Sequence, residues 1–229
     1  MNQRNIPKSE ESIICLSCGE CCKRYWITVL PTEAQKISRM IGKSKKEFLE
    51  NDCVLNVKLY PKSTPGMLTF PTFLLPERIL DLIKKELDLV PQSFFVVPQV
   101  VLRREEKSMF DFREKMTKME TRRACVFLNP ENACVIYSAR PKPCELFPFI
   151  VMPGFSENYP FCLLFQKTRR DYAIESKIYY KKIKDYFKSV NDKGFSYIWI
   201  SPPKKGILFL QEKEIGEISL TELNEIMKK

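Results

Sequence analysis

Histidine is absent from all 229 residues. That removes every Ser-His-Asp or Cys-His nucleophile pair and every His-ligated metal site, so any proton transfer falls to Tyr, Lys, Cys or a carboxylate. Glycine is scarce at 7 residues, and neither a Walker loop nor a G-x-G-x-x-G pattern occurs. No nucleotide or S-adenosylmethionine (SAM) site can therefore be read from a motif. No apolar run approaches the roughly 18 residues of a membrane span, and the most apolar stretch, 146–155, is broken by Pro148 and Pro153. Met1 to Ser12 is polar and lacks the apolar core of a signal peptide, so residues 1–12 read as a flexible lead-in. The adjacent carboxylates Glu10–Glu11 and Glu105–Glu106 point apart and form no acid/base dyad. These absences predict a soluble, cytoplasmic protein without a membrane partner.

What is present is ordinary globular material, 44% hydrophobic and 29% charged, in a length that one domain over 1–229 can account for. The unusual component is 9 Cys. In a reducing cytoplasm, cysteines at this density point to metal or redox chemistry rather than a disulfide framework, and the odd count agrees.

Local patterns predict an α+β fold, a single compact domain organised around a cysteine-rich metal centre. Tyr25 to Leu30, aromatic and β-branched, reads as a strand. A helix capped by Thr32 runs to Ile41, and a capping box of Ser44 and Glu47 starts a second. The span from Cys53 to Phe73 is strand-like and turn-rich, and places Cys53 alone as a core residue. Pro76 to Leu89 carries a helical stripe of Ile79, Leu80, Ile83 and Leu87, and Pro91 to Leu102 is a β-rich run. Between Arg103 and Arg123 a strand is expected only towards the end. Gln166 to Val190 reads as the longest helix, with Tyr172, Tyr179, Ile183, Tyr186 and Val190 sharing a face. Phe195 to Ile200 and Ile207 to Gln211 suggest a hairpin, and Ser219 with Glu222 caps a final helix.

The strongest signal is Cys15-x2-Cys18-x2-Cys21-Cys22. Cysteines three apart in a loop can place sulfurs about 3.8 Å apart, the tetrahedron edge set by metal–sulfur bonds of about 2.3 Å. The first three match the C-x2-C-x2-C opening of cluster-binding ferredoxin segments. Neighbouring side chains diverge, so Cys21 and Cys22 are expected to serve different centres or different sides of one cluster. Their partners are Cys125, Cys134, Cys144 and Cys162, spaced by 8, 9 and 17 residues, which only the fold can gather. Asn129 to Asn132 forms a turn that lets Cys125 and Cys134 lie on paired strands or at their ends, and Arg140-Pro141-Lys142-Pro143 predicts an extended approach to Cys144. The eight cysteines exceed what one four-thiolate zinc site needs, which favours an iron–sulfur cluster, most simply [4Fe–4S], with zinc as the alternative.

These residues carry a resemblance. Cys15–Cys22, then Cys125-Val-Phe-Leu, Cys134-Val-Ile-Tyr137, Arg140-Pro141-x-x-Cys144 and Phe147-Pro148, resemble the YkgJ-type cysteine-cluster family, described as zinc- or iron-chelating. Ala124 stands where a Gly is usual before the Cys, and Glu145 where the family often has Arg. The cluster is shared with proteins similar to the flagellin lysine-N-methylases. The resemblance thus implies a metal-binding protein and, as an alternative, a SAM-dependent protein-lysine methyltransferase.

The formal charge is +10. From Gln166 to Gly206 eleven Lys/Arg face four acids, a local +7. Lys181, Lys182, Lys184 and Lys188 with interleaved tyrosines would suit phosphate contacts and base stacking in a metal-stapled nucleic-acid-binding module, or an acidic protein partner. A solvated helix face explains the same residues more simply, since four lysines in eight positions point around much of a helix.

Overall fold

The computed structural model describes residues 18–64, 71–110, 119–147, 179–189, 203 and 206–228. Its elements in chain order are α1 (Glu20–Arg24), α2 (Pro31–Met40), α3 (Lys45–Asp52), β1 (Cys53–Pro61), β2 (Thr72–Phe73), α4 (Glu77–Lys84), β3 (Phe94–Leu102), β4 (Arg104–Phe110), β5 (Met119–Cys125), a 3-10 turn (Tyr137–Ala139), α5 (Lys142–Leu146), α6 (helical over 179–189), β6 (Gly206–Leu210), β7 (Lys213–Ile218) and α7 (Leu220–Met227). The fold is α+β.

Five strands form a mixed sheet in the order β2-β3-β1-β6-β7, and β4 with β5 forms a separate antiparallel hairpin. β1 lies at the centre, antiparallel to β3 and parallel to β6. Alternation divides β1 between two faces. Leu55, Val57 and Leu59 join the main core, while Val54 packs with Val101, Ile207, Phe209 and Trp26 on the other side. The main core takes Ala34 and Ile37 from α2, Phe48 and Leu49 from α3, Ile79 and Ile83 from α4, and Leu223 and Ile226 from α7. Both capping boxes form as expected: Glu47 N–H donates to Ser44 Oγ at 3.2 Å, and Glu222 N–H to Ser219 Oγ at 3.2 Å.

Cys53 is a buried core residue as expected, and it opens the nine-residue central strand, whose extent alternation alone could not reveal because β1 is covered on both faces. Several other expectations are corrected. Tyr25 to Leu30 is extended but makes only one bridge, Thr28 to Val101, with Val29 N–H donating to Val100 O at 2.8 Å. α2 is capped at Leu30 rather than Thr32: Pro31 takes the first helical position, and Glu33 Oε2 accepts from Leu30 N–H at 2.7 Å. The ambiguous stretch after Arg103 is a hairpin, so β4 precedes the strand expected at its end. Helix α4 stops at Lys84. β6 pairs with β7 and β1; its expected partner, 195–200, and the helix start at 166 lie outside the described residues. Among the described residues no helix is long and apolar enough to cross a membrane.

Candidate metal centre

The N-terminal cysteines are carried into the structure by a left-handed residue. Gly19, the N-cap of α1, adopts φ 66°, which an L side chain rarely tolerates. Space excludes a side chain there too: a Cβ would lie 3.1 Å from Leu128 Cδ1 and 3.2 Å from Asn132 Oδ1. The chain around Gly19 therefore presses directly on the 128–132 turn, the connection between Cys125 and Cys134. Sequence reasoning passed over Gly19; its place between Cys18 and Cys21, in a glycine-poor chain, was the available signal.

α1 then delivers Cys21 and Cys22 against β5. The Arg104 guanidinium fastens it by donating to the carbonyls of Lys23, Arg24 and Arg123, the first two at the helix's C-terminal end where carbonyls lack helical partners. Arg104 and Arg123 also sandwich Trp26, their guanidinium carbons 5.4 and 5.3 Å from its ring. Buried Glu20 binds Lys23 and Arg24 at 3.3 Å each, so α1 is laced on its own surface.

The second segment hangs from the hairpin and the core. Cys125 ends β5, opposite Arg104. The expected turn forms: Asn132 N–H donates to Asn129 O at 3.0 Å, Ala133 N–H to Asn129 Oδ1 at 2.7 Å, and Leu128 bridges Cys134. Lys107 holds the start of this loop by donating to the carbonyls of Val126 and Leu128, both at 2.7 Å. Phe127 stacks on Phe48 of α3 at 6.3 Å, joining the segment to the main core. The expected extended approach covers Arg140 and Pro141, at ψ 146° and 156°, but Cys144 itself lies in helix α5. Pro141 is the N-cap and Pro143 the second residue of α5, positions whose amide hydrogens have no helical partner in any case.

Burial and mutual electrostatics describe the thiols that result. Cys22 donates its S–H to Cys21, which lowers Cys21 and raises Cys22 well above the ordinary thiol value of 9.0. The two neighbouring thiols thus lie within hydrogen-bonding reach of each other. Burial pushes Cys125 up to about 12 and Cys134 up to about 11, and raises Cys144 well above 9.0. Negative charge on Cys21 raises Cys125, Cys134 and Cys144, and charge on Cys125 and Cys134 raises Cys22, so these five thiols share one electrostatic neighbourhood. Cys22 packs against Met109, Ala124 and Leu128, where Ala124 is fully buried.

Three cations border the group. Lys107 lowers Cys125, Arg140 lowers Cys134 and Cys144, and Arg104 is close enough to Cys125 and Cys22 to gain from their charge. Cys18 is half-buried just ahead of Gly19. Cys53 is buried in the core and touches the same field through Cys125. No described cysteine is in a disulfide. Cys15 and Cys162 lie outside the described residues. Among the described residues no three Cys, Asp or Glu side chains form a ready ligand cage. The described thiols thus converge without closing on one point by themselves.

The donor chemistry nonetheless fits a thiophilic metal. Several buried thiols, kept protonated at neutral pH by their burial, gain most from a cation that replaces their protons. Lys181, Lys184 and Lys188 project from α6 into solvent, and Lys182 lies 4.9 Å over the Tyr179 ring while Tyr186 is buried.

Comparison with known proteins gives no match to a curated protein or to a solved structure. One family model does match, over the span that contains Cys125, Cys134, Cys144 and Cys162 but not Cys15 to Cys22. Residues 97–172 match the model of the CxxCxxCC family, described as a putative zinc- or iron-chelating domain, the family that the cysteine motifs resemble.

Proposed function

We propose that the protein holds an iron–sulfur centre, most simply one [4Fe–4S] cluster, on thiolates drawn from both cysteine segments, with zinc as the alternative occupant. The observation that carries this reading is a group of buried thiols, each raised by the charge of its neighbours, with Arg104, Lys107 and Arg140 around them. A metal or cluster on four thiolates is a net anion of about −2, costly to bury without nearby cations. Three cations bordering one thiol group answer that cost.

Cys18, Cys21, Cys22, Cys125, Cys134 and Cys144, with Cys15 and Cys162, supply the ligands in this reading. Eight cysteines and the C-x2-C-x2-C opening favour a cluster over a single zinc ion. Such a centre supplies either electron transfer or a structural staple between the two segments. The chain's own part is to shield it from water and balance its charge. A thiol-based centre also favours the reducing cytoplasm, where cysteines stay available to metal.

Anaerobic purification followed by metal and sulfide analysis tests the reading. The expected result is about four iron and about four sulfide per chain, with broad absorbance near about 400 nm. A colourless protein with one or two zinc ions overturns the cluster and leaves a structural thiolate site.

A further inference from the structure

A cleft of about 460 Å³ opens beside the cysteine centre, between the first turn of α2, the start of α5 and the outer face of α6. Its charged lining is unequal once internal pairings are counted. Glu33 is consumed: its two carboxylate oxygens accept the backbone N–H groups of Leu30 at 2.7 Å and Lys142 at 2.6 Å. Lys142 and Glu145 pair with each other. Lys36 of α2 and Lys182 of α6, both exposed, have no carboxylate partner among the described residues. Arg140 also lines the cleft, held by contacts of its own, and Asp185 is the remaining carboxylate.

The cleft also abuts the thiols. Arg140, whose guanidinium carbon stacks 3.8 Å from the Tyr137 ring centroid, is at once a wall of the cleft and the cation nearest in effect to Cys134 and Cys144. Tyr186, buried on the cleft floor, hydrogen-bonds Thr28 and feels the charge of Cys144. A volume of this size matches ligand sites for small molecules, and cations contributed by two different helices favour oxyanions.

We propose that this cleft binds a small oxyanion, carboxylate or phosphate, between Lys36 and Lys182, with Arg140 shared between the bound anion and the cysteine centre. The two lysines carry selectivity for charge, and Arg140 links occupancy of the cleft to the charge of the neighbouring site. The proposal does not depend on which metal the cysteines hold.

Equilibrium titration of the full chain as purified, with inorganic phosphate in one arm and citrate in the other, tests it. Saturable binding of either probe is expected, weakened by added salt, and the arm that binds more tightly identifies the anion class. The double variant Lys36→Gln, Lys182→Gln should weaken binding by about tenfold, with metal content and thermal midpoint unchanged. Arg140→Gln should weaken binding and also lower metal content. Absence of saturable binding at millimolar probe, or equal binding by the double lysine variant, overturns the proposal; loss of metal content in the lysine variant would show instead that the lysines serve the cysteine centre.

Discussion

The two cysteine segments are held in opposite ways. Residues 18–24 own almost no scaffold: one turn of helix, entered through a left-handed glycine and fastened by a guanidinium that belongs to β4. Residues 125–147 rest on a strand end, a hydrogen-bonded turn and a ring stack into the main core. The first segment brings sulfurs close in sequence and depends on the second for position. The second brings sulfurs far apart in sequence and is positioned by the fold itself. A metal shared by both would add most where structure supplies least, because closing a loop of about a hundred residues turns binding free energy into folding free energy.

The largest expected effect separates ligands from bystander. Cys18→Ser or Cys144→Ser should lower metal content and thermal stability sharply, by several kcal/mol at about the scale of lost structural metal, whereas Cys53→Ser should change metal content little. Equal losses from all three, measured by metal analysis and calorimetry, would falsify this division. The pH response sharpens it. Buried thiols raised to about 11 and about 12 at Cys134 and Cys125 contribute stability that is complete below the ordinary 9.0 and is lost as pH rises through those values. Metal-stripped protein should therefore weaken in alkali. Metal uptake should strengthen over the same rise, since thiolates bind and protons compete; urea midpoints and metal competition against pH read the two signs.

The next effects fall on the joint between the segments. Arg104→Ala removes three carbonyl contacts and should cost about 2–3 kcal/mol, with loss of metal in proportion. Gly19→Ala meets both a left-handed backbone and the Leu128–Asn132 wall, and should cost about 2 kcal/mol. If Gly19→Ala is neutral in denaturant melts while metal is retained, the first segment does not seat on the 128–132 turn.

The smallest effects lie away from both segments, at the helix caps. Ser44→Ala and Ser219→Ala should each cost about 1 kcal/mol and leave metal content unchanged. Glu47, held below the ordinary 4.5 by its hydrogen bonds to Ser44, adds stability above that value that is lost as acid protonates it. Acid melts of Ser44→Ala should lose the hydroxyl's part of that contribution and keep the part from the backbone N–H of residue 44. A drop in bound metal from either serine variant would mean that the caps are not independent of the centre.

Local signals in the sequence were read correctly where the chemistry is local. Ser44 with Glu47 and Ser219 with Glu222 predicted helix starts because each box is closed within four residues. The Asn129–Asn132 turn was legible for the same reason. The hairpin strand β4 was hidden because Arg104 to Lys107 is charged: on a two-stranded ribbon these side chains bind carbonyls and carboxylates instead of entering a core. α5 was misjudged because prolines that forbid the middle of a helix are suited to its first turn.

For the centre itself, the residue types and the grouping into two segments were set by sequence, since cysteine is the side chain of this chain that offers an anionic soft ligand and no histidine competes. Tertiary structure decided the rest. Hydrogen-bond registry placed Arg104 opposite Cys125, Lys107 under the following loop and Gly19 against Asn132. Those neighbours come from strands and turns separated, in the case of Gly19 and Asn132, by more than a hundred residues, and no spacing rule along the chain encodes a contact that only folding closes.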